Sequence, residues 1–394
     1  MQRRHFLKLV CGATAGPGLL MRTATAEGRA EPLPRLAAVA AAAGLQYGST
    51  AEVDVTRQPE AYRRLLADHC HLFAPGYLSW SWISPSPDRY DFSREAGNLR
   101  FAASSGLALT GAHLLWQKRV PDWFKVITDP RRAEQAIRRH IAEMMVRFGP
   151  RSFSWNAVNE AIKPEQGRPD GLRADDPFLR VLGPRYIDLA FHAAHESAPS
   201  TLFAYNDFGL EADSPVAAAR RRALLGLLDG LLQRGVPIAA VGLQSHLQLD
   251  DRFDAVLYRK FLAEIAGRGL KILITELDVN DRTGPADIRK RDQAVADCYE
   301  RFLAPALDEK QVVALVTWGL SDRYTWLTPA YDPSYGRSDH LPCRPLPFDA
   351  NFQPKPAYGA ILRALRHAPP RPLVPLPNWG DRTAGVSDPP PPRT

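Results

Sequence analysis

Two short segments, Trp155-Asn156-Ala157-Val158-Asn159-Glu160 and Ile272-Leu273-Ile274-Thr275-Glu276-Leu277-Asp278-Val279, each run an apolar, strand-like stretch into a single glutamate. Parallel strands that end side by side would deliver these two carboxyls to one place. Such a pair is what retaining hydrolysis of a glycosidic bond requires. One carboxyl protonates the leaving oxygen and the other attacks the anomeric carbon, with about 5–5.5 Å between them. Asn159, directly before Glu160, and His246, in Gly242-Leu243-Gln244-Ser245-His246-Leu247, are further polar groups placed just after apolar runs. A glutamate that follows a strand is ordinary on any protein surface, so the chemistry depends on elements that bring these side chains together.

The order of apolar runs supplies such elements. Eight candidate strands occur, Leu45 to Gly48, His71 to Leu78, Leu107 to His113, Ser152 to Val158, Thr201 to Tyr205, Ile238 to Leu243, Lys271 to Thr275 and Val312 to Trp318. Between them lie amphipathic helical patterns such as Asp129 to Phe148, Pro184 to Ser197, Pro215 to Arg234, Phe253 to Arg268 and Ile288 to Leu303. Strands alternating with helices imply βαβ units and a parallel sheet. Eight such units predict an α/β fold of the (β/α)8 TIM-barrel type, with the active site at the C-terminal ends of the strands. An open doubly wound sheet would share the alternation, but no Gly-rich phosphate turn follows the first strand.

The bulk composition narrows the classes further. With 394 residues, 45% hydrophobic and 24% charged, the chain can bury a large core. Arg3, Arg4, Lys8 and Arg22 supply four of its seven net positive charges within an acid-free stretch of 26 residues, which leaves +3 elsewhere. No basic run is interleaved with aromatics, so no nucleic-acid partner is expected. Residues 1–26 read as a twin-arginine-type export signal, Gln2-Arg3-Arg4-His5-Phe6-Leu7-Lys8 followed by a weak apolar stretch and Ala24-Thr25-Ala26. The expected location is therefore the periplasm or the medium, without a membrane anchor and as a monomer. Residues 27–366 are expected to form the catalytic barrel, and the Pro-rich 367–394 a disordered tail. Cys70, Cys298 and Cys343 form no C-x-x-C pair, so neither a disulfide framework nor a zinc site is expected. No cofactor or metal is implied.

Seven segments then coincide, in order, with one family. They are Trp82 to Phe92, Trp155 to Ile162, Tyr205 to Glu211, Gly242 to Leu247, Ile274 to Val279, Thr317 to Leu327 and Pro347 to Tyr358. Over nearly its whole mature length the chain resembles glycoside hydrolase family 10, the retaining endo-β-1,4-xylanases. The resemblance implies that Glu160 is the general acid/base and Glu276 the nucleophile, and that the substrate is a xylan-like β-glycan. It implies that Asn159 bonds the sugar 2-OH and that His246 holds the nucleophile. Trp318 and Trp326 would wall the subsite of the cleaved sugar. Asn206, Asp207, Gln244 and Asp278 would support the site.

The glycone side departs from the family pattern. Gly76-Tyr77-Leu78-Ser79-Trp80 stands where most members carry Asn-Glu-Met-Lys-Trp, so the glutamate and lysine that grip the sugar are absent. Gly111-Ala112-His113-Leu114-Leu115-Trp116-Gln117 replaces a Gly-His followed by Trp-His. By strand alternation, His113, one place late, should face away from the site. The departures cluster while the catalytic motifs persist, which predicts retained hydrolysis with an altered sugar preference, such as a bacterial exopolysaccharide, set in part by Tyr77 and Gln117. Two other functions fit these residues less well. A non-catalytic carbohydrate-binding barrel would lack a carboxylate, yet both are present; a metal-dependent hydrolase would need ligand spacing that the sequence does not show.

Overall fold

The computed structural model describes residues 33–111 and 113–377. The expected export signal, residues 1–26, lies outside them. Ten strands occur in the described residues: β1 Gln46–Ala51, β2 Leu72–Pro75, β3 Ala108–Leu109, β4 His113–Trp116, β5 Ser154–Asn159, β6 Leu202–Asp207, β7 Ala240–Leu243, β8 His246–Gln248, β9 Lys271–Asn280 and β10 Val312–Thr317. All their pairings are parallel, in the order β3-β2-β1-β10-β9-β7-β6-β5-β4, with β8 added beside β9. The two ends of this path are halves of one strand, β3 pairing with β2 and β4 with β5, so the sheet curls closed into the expected (β/α)8 barrel.

The expected third strand is broken rather than continuous. Gly111 has φ +72° between its halves, a conformation that favours glycine. The Asn156 amide donates to the Gly111 carbonyl at 3.0 Å, which takes up the backbone group that the break releases. β1 and β9 run further than their apolar stretches suggest. Ser49 and Thr50 continue β1 although both are buried, because their hydroxyls donate to the carbonyls of Thr317 and Ala74.

Helices return the chain between strands, and their starts are written in the sequence. Asp129, Asp176 and Ser214 each precede a proline and accept a bond from a backbone N–H of the first turn. This combines a side-chain cap with a residue whose missing N–H costs nothing at the first helical position. The major core lies between helices and sheet. A smaller cluster, including Leu72, Ala74, Ala108, Ala204, Ala240, Leu273 and Ala314, fills the barrel interior.

One boundary needs correction. The helix Pro356–His367 carries through residue 367, and the next residues remain packed. Buried Arg371 donates to the carbonyls of Leu307, Glu309 and Val312, while Gln46 donates to the Val374 carbonyl at 2.9 Å. Val374 and Leu376 lie against the interior cluster. Proline content predicts a tail from residue 367, but a proline-rich chain packs where an arginine satisfies the carbonyls beneath it. Residues 378–394 lie outside the described residues.

Candidate active site

Glu160 follows β5 and Glu276 sits within β9, and both side chains line one cleft of about 570 Å³ at the C-terminal mouth. Both are nearly buried, 4% and 5% exposed. Glu160 has φ +55° and Ser245, beside His246, has φ +60°. Such conformations are costly for residues with side chains and persist when their surroundings fix them. Here the Glu160 N–H donates to the Asn206 carbonyl at 2.9 Å, and buried Arg173 donates to the Glu160 carbonyl at 3.1 Å. The Ser245 N–H and hydroxyl both donate to Glu211, at 3.1 and 3.2 Å.

A chain of amides links the two carboxyls. Asn206 Nδ2 donates to Glu276 Oε1 at 2.9 Å and lies 2.8 Å from the side-chain amide of Asn159, while the Thr275 hydroxyl donates to the Asn206 side-chain oxygen Oδ1 at 2.8 Å. Gln244 lies 3.3 Å from Glu160 Oε1 and 3.4 Å from the side-chain amide of Asn159. Gly242 makes room for this arrangement, since a Cβ there would stand 2.2 Å from Asn206 Oδ1. Asp207, buried at the end of β6, accepts from the Ile162 N–H and supports the turn after Glu160. Burial first, then the charge of Glu160, pushes its carboxyl up to about 7 even though Tyr205 donates to it.

The other carboxyl is held ionised. His246 Nε2 stands 3.2 Å from Glu276 Oε2 and its Nδ1 2.9 Å from Asp278 Oδ1, so the imidazole bridges two carboxylates. Burial works against charge on both partners, but the opposite charges and hydrogen bonds outweigh it. Glu276 is lowered to about 2, with His113 and His246 as the lowering partners, and His246 is raised to about 10, chiefly by Asp278. Trp326 Nε1 donates to Asp278 Oδ2 at 2.6 Å and thereby completes the chain from aromatic wall to Glu276.

The residues expected from sequence divide in two. Glu160, Glu276, Asn159, Gln244, His246, Trp318 and Trp326 all line the cleft, and Asn206 lies directly behind it. Gln117 approaches Glu160 Oε2 only at 3.5 Å. Tyr77 does not line the cleft. Its hydroxyl donates to the Glu52 carbonyl at 2.6 Å and its ring packs with Trp82 and Arg94, so it braces the wall from behind. The prediction for His113 is overturned. Its Nε2 is 3.8 Å from Glu276 Oε1, because the break at Gly111 ends the alternation that would have turned it away.

Sequence reasoning missed several lining residues. Lys118 places Nζ 3.2 Å from Glu160 Oε2, and Arg119 lies over Trp82 at 4.5 Å. Both come from a short 3-10 turn, where cations ordinarily read as solvated. Glu52 follows the true end of β1, beyond the expected end at Gly48, so the strand-end rule finds it only on the full strand. Burial first, then the charge of Glu276, raises its carboxyl. Tyr331 and Tyr335 pack on Trp326 at 5.2 and 4.9 Å and extend the aromatic wall.

Cys70, Cys298 and Cys343 are buried free thiols. Among the described residues no group of three or more His, Cys, Asp or Glu is disposed to hold a metal ion, and no helix is long and apolar enough to cross a membrane.

A parallel barrel with two buried glutamates, one of them held by an imidazole, and tryptophans at its C-terminal mouth defines a glycoside hydrolase. The chain belongs to glycosyl hydrolase family 10, whose model matches residues 35–364. It is 27% identical over 311 residues to endo-1,4-beta-xylanase B of Thermotoga neapolitana, covering 78% of this chain and 84% of that protein. It is 29% identical over 347 residues to endo-1,4-beta-xylanase A of Fusarium oxysporum f. sp. lycopersici, covering 84% and 98% respectively. Native xylanase 10B from Thermotoga maritima superposes with a TM-score of 0.74 at 25% identity, over 84% of this chain and 98% of that one.

Proposed function

We propose that this protein is an exported, retaining endo-β-1,4-glycanase that acts on a xylan-like backbone by double displacement. In the first step ionised Glu276 attacks the anomeric carbon while Glu160 gives its proton to the leaving oxygen, forming a glycosyl ester. In the second, Glu160 takes a proton from water, which attacks the same carbon and releases Glu276. Asn159 holds the sugar 2-OH, a bond that strengthens as positive charge develops at the ring. His246 keeps Glu276 charged and in place, and Trp318 and Trp326 stack on the C–H faces of the sugar. The observation that carries this reading is the pair of buried glutamates joined through Gln244, Asn159 and Asn206. The xylanase relatives support the choice of substrate class. Export rests on the leader sequence.

The test is hydrolysis of soluble β-1,4-xylan by the purified protein. Viscosity should fall much faster than reducing ends appear, and Glu160→Gln and Glu276→Gln should each abolish the release. No cleavage of xylan or of any other β-1,4-glycan by the parent protein would overturn the proposal.

A further inference from the structure

The wall that carries Tyr77 and Ser79, at the positions of the glutamate and lysine with which the family grips its sugar, is instead crowded with cations. Arg119 lies 4.5 Å from the Trp82 ring centre and 5.6 Å from that of Trp116. Arg94 lies 4.6 Å from the same Trp82 ring, and Lys118 stands between Trp116 and Phe208 with Nζ on Glu160. Among the described residues the buried Arg119 Nε has no hydrogen-bond partner. A neighbouring acid that could compensate Arg119 is Glu52, whose own ionisation burial opposes.

A buried guanidinium donor left open is costly, and stacking on an aromatic face recovers only part of the loss. A neutral pyranose offers hydroxyls and C–H faces and gains little from three neighbouring cations. A carboxylate matches the planar guanidinium fork with two parallel N–H···O bonds. Lys118 would meanwhile screen that carboxylate from Glu160.

We propose that Arg119, stacked on Trp82 with Lys118 beside it, forms a subsite for a carboxylate-bearing sugar unit on the glycone side of the cleft. This assignment rests on the glycanase reading for the identity of the cleft. It names the altered preference that the missing glutamate and lysine imply. The uronic acid could be a side group on a neutral backbone or a unit of the backbone itself.

Binding decides it independently of turnover. Calorimetric titrations would use the full chain carrying Glu276→Gln. The ligands are a β-1,4-xylo-oligosaccharide bearing one glucuronic acid, a β-1,4-linked glucuronic acid oligosaccharide, and the carboxyl-reduced counterpart of each. The carboxylated member of at least one pair should bind about 10-fold or more tightly than its reduced counterpart, less so at high salt. Adding Arg119→Gln should close that gap, Arg119→Lys should restore only part of it, and the exposed control Arg132→Gln should leave it intact. The pair that shows the gap identifies the source of the carboxylate. Equal affinities within both pairs, or an Arg119→Gln change that weakens both members alike, would overturn the subsite. Hydrolysis by the parent chain is read separately. A gap without cleavage defeats the glycanase reading alone, and cleavage without a gap defeats the subsite alone.

Discussion

His246 stands 3.2 Å from Glu276 through Nε2 and 2.9 Å from Asp278 through Nδ1. A lowered carboxyl and a raised imidazole describe one ion pair seen from its two ends. Glu276, lowered to about 2 from 4.5, contributes stability that is present above pH 4.5 and lost as pH falls through about 2. His246, raised to about 10 from 6.5, contributes stability that is complete below pH 6.5 and lost as pH rises through about 10. The pair is therefore intact across the whole neutral range.

His246→Asn keeps a polar group but removes the cation, so the acid limb of kcat/KM should move up by about 1–3 pH units. A pH–rate profile of parent and variant measures it. An unchanged limb would mean that His246 does not set the charge of Glu276.

Gly242 tests the role of Asn206. In Gly242→Ala the new Cβ falls 2.2 Å from Asn206 Oδ1, so the amide must move away from Glu276. We expect kcat to fall about 10²-fold with KM little changed, since misplacing a reacting group by about 1 Å costs that much. Overpacking should cost about 1–3 kcal/mol in chemical denaturation. A full kcat would show that the amide is not needed where it sits.

Trp326→Phe separates two functions of one side chain. Phenylalanine keeps an aromatic face for sugar but loses the 2.6 Å bond to Asp278. Its KM should stay within about threefold of the parent while kcat falls about 10-fold, as one charge-assisted hydrogen bond behind Glu276 is lost. Trp326→Ala should raise KM as well. Steady-state kinetics on one soluble xylan distinguishes the two patterns.

Arg371 tests the corrected boundary. Its buried guanidinium serves three carbonyls from the end of the Ile288–Asp308 helix and the start of β10. Arg371→Ala should destabilise the barrel by about 2–4 kcal/mol, seen in thermal and denaturant unfolding, with kcat unchanged. Unaltered stability would return residues 368–377 to the status of a loose tail.

The barrel and its chemical centre were readable because each rests on local pattern. Apolar runs gave the strands, and Glu160, Asn159, His246 and Glu276 follow directly from where those runs stop. What escaped depends on places where the local pattern changes. Ser49 and Thr50 look like the end of β1, yet their hydroxyls find carbonyls and carry the strand on to Glu52. The break at Gly111 brings His113 back to the site against simple alternation. Lys118 and Arg119 read as solvent cations until a tight turn folds them over Trp116 and Trp82. Tyr77 occupies a glycone-side position in the sequence, but its hydroxyl is spent on a backbone carbonyl.

The central claim is that Glu276 attacks and Glu160 first gives, then takes, a proton. Retention follows from two inversions at one carbon, so the configuration of the first product decides the matter. In a proton NMR time course of soluble xylan hydrolysis, the β-anomer of the new reducing end should appear first and the α-anomer only later, by mutarotation. If the α-anomer appears first, water attacked the sugar directly and Glu276 is not the nucleophile.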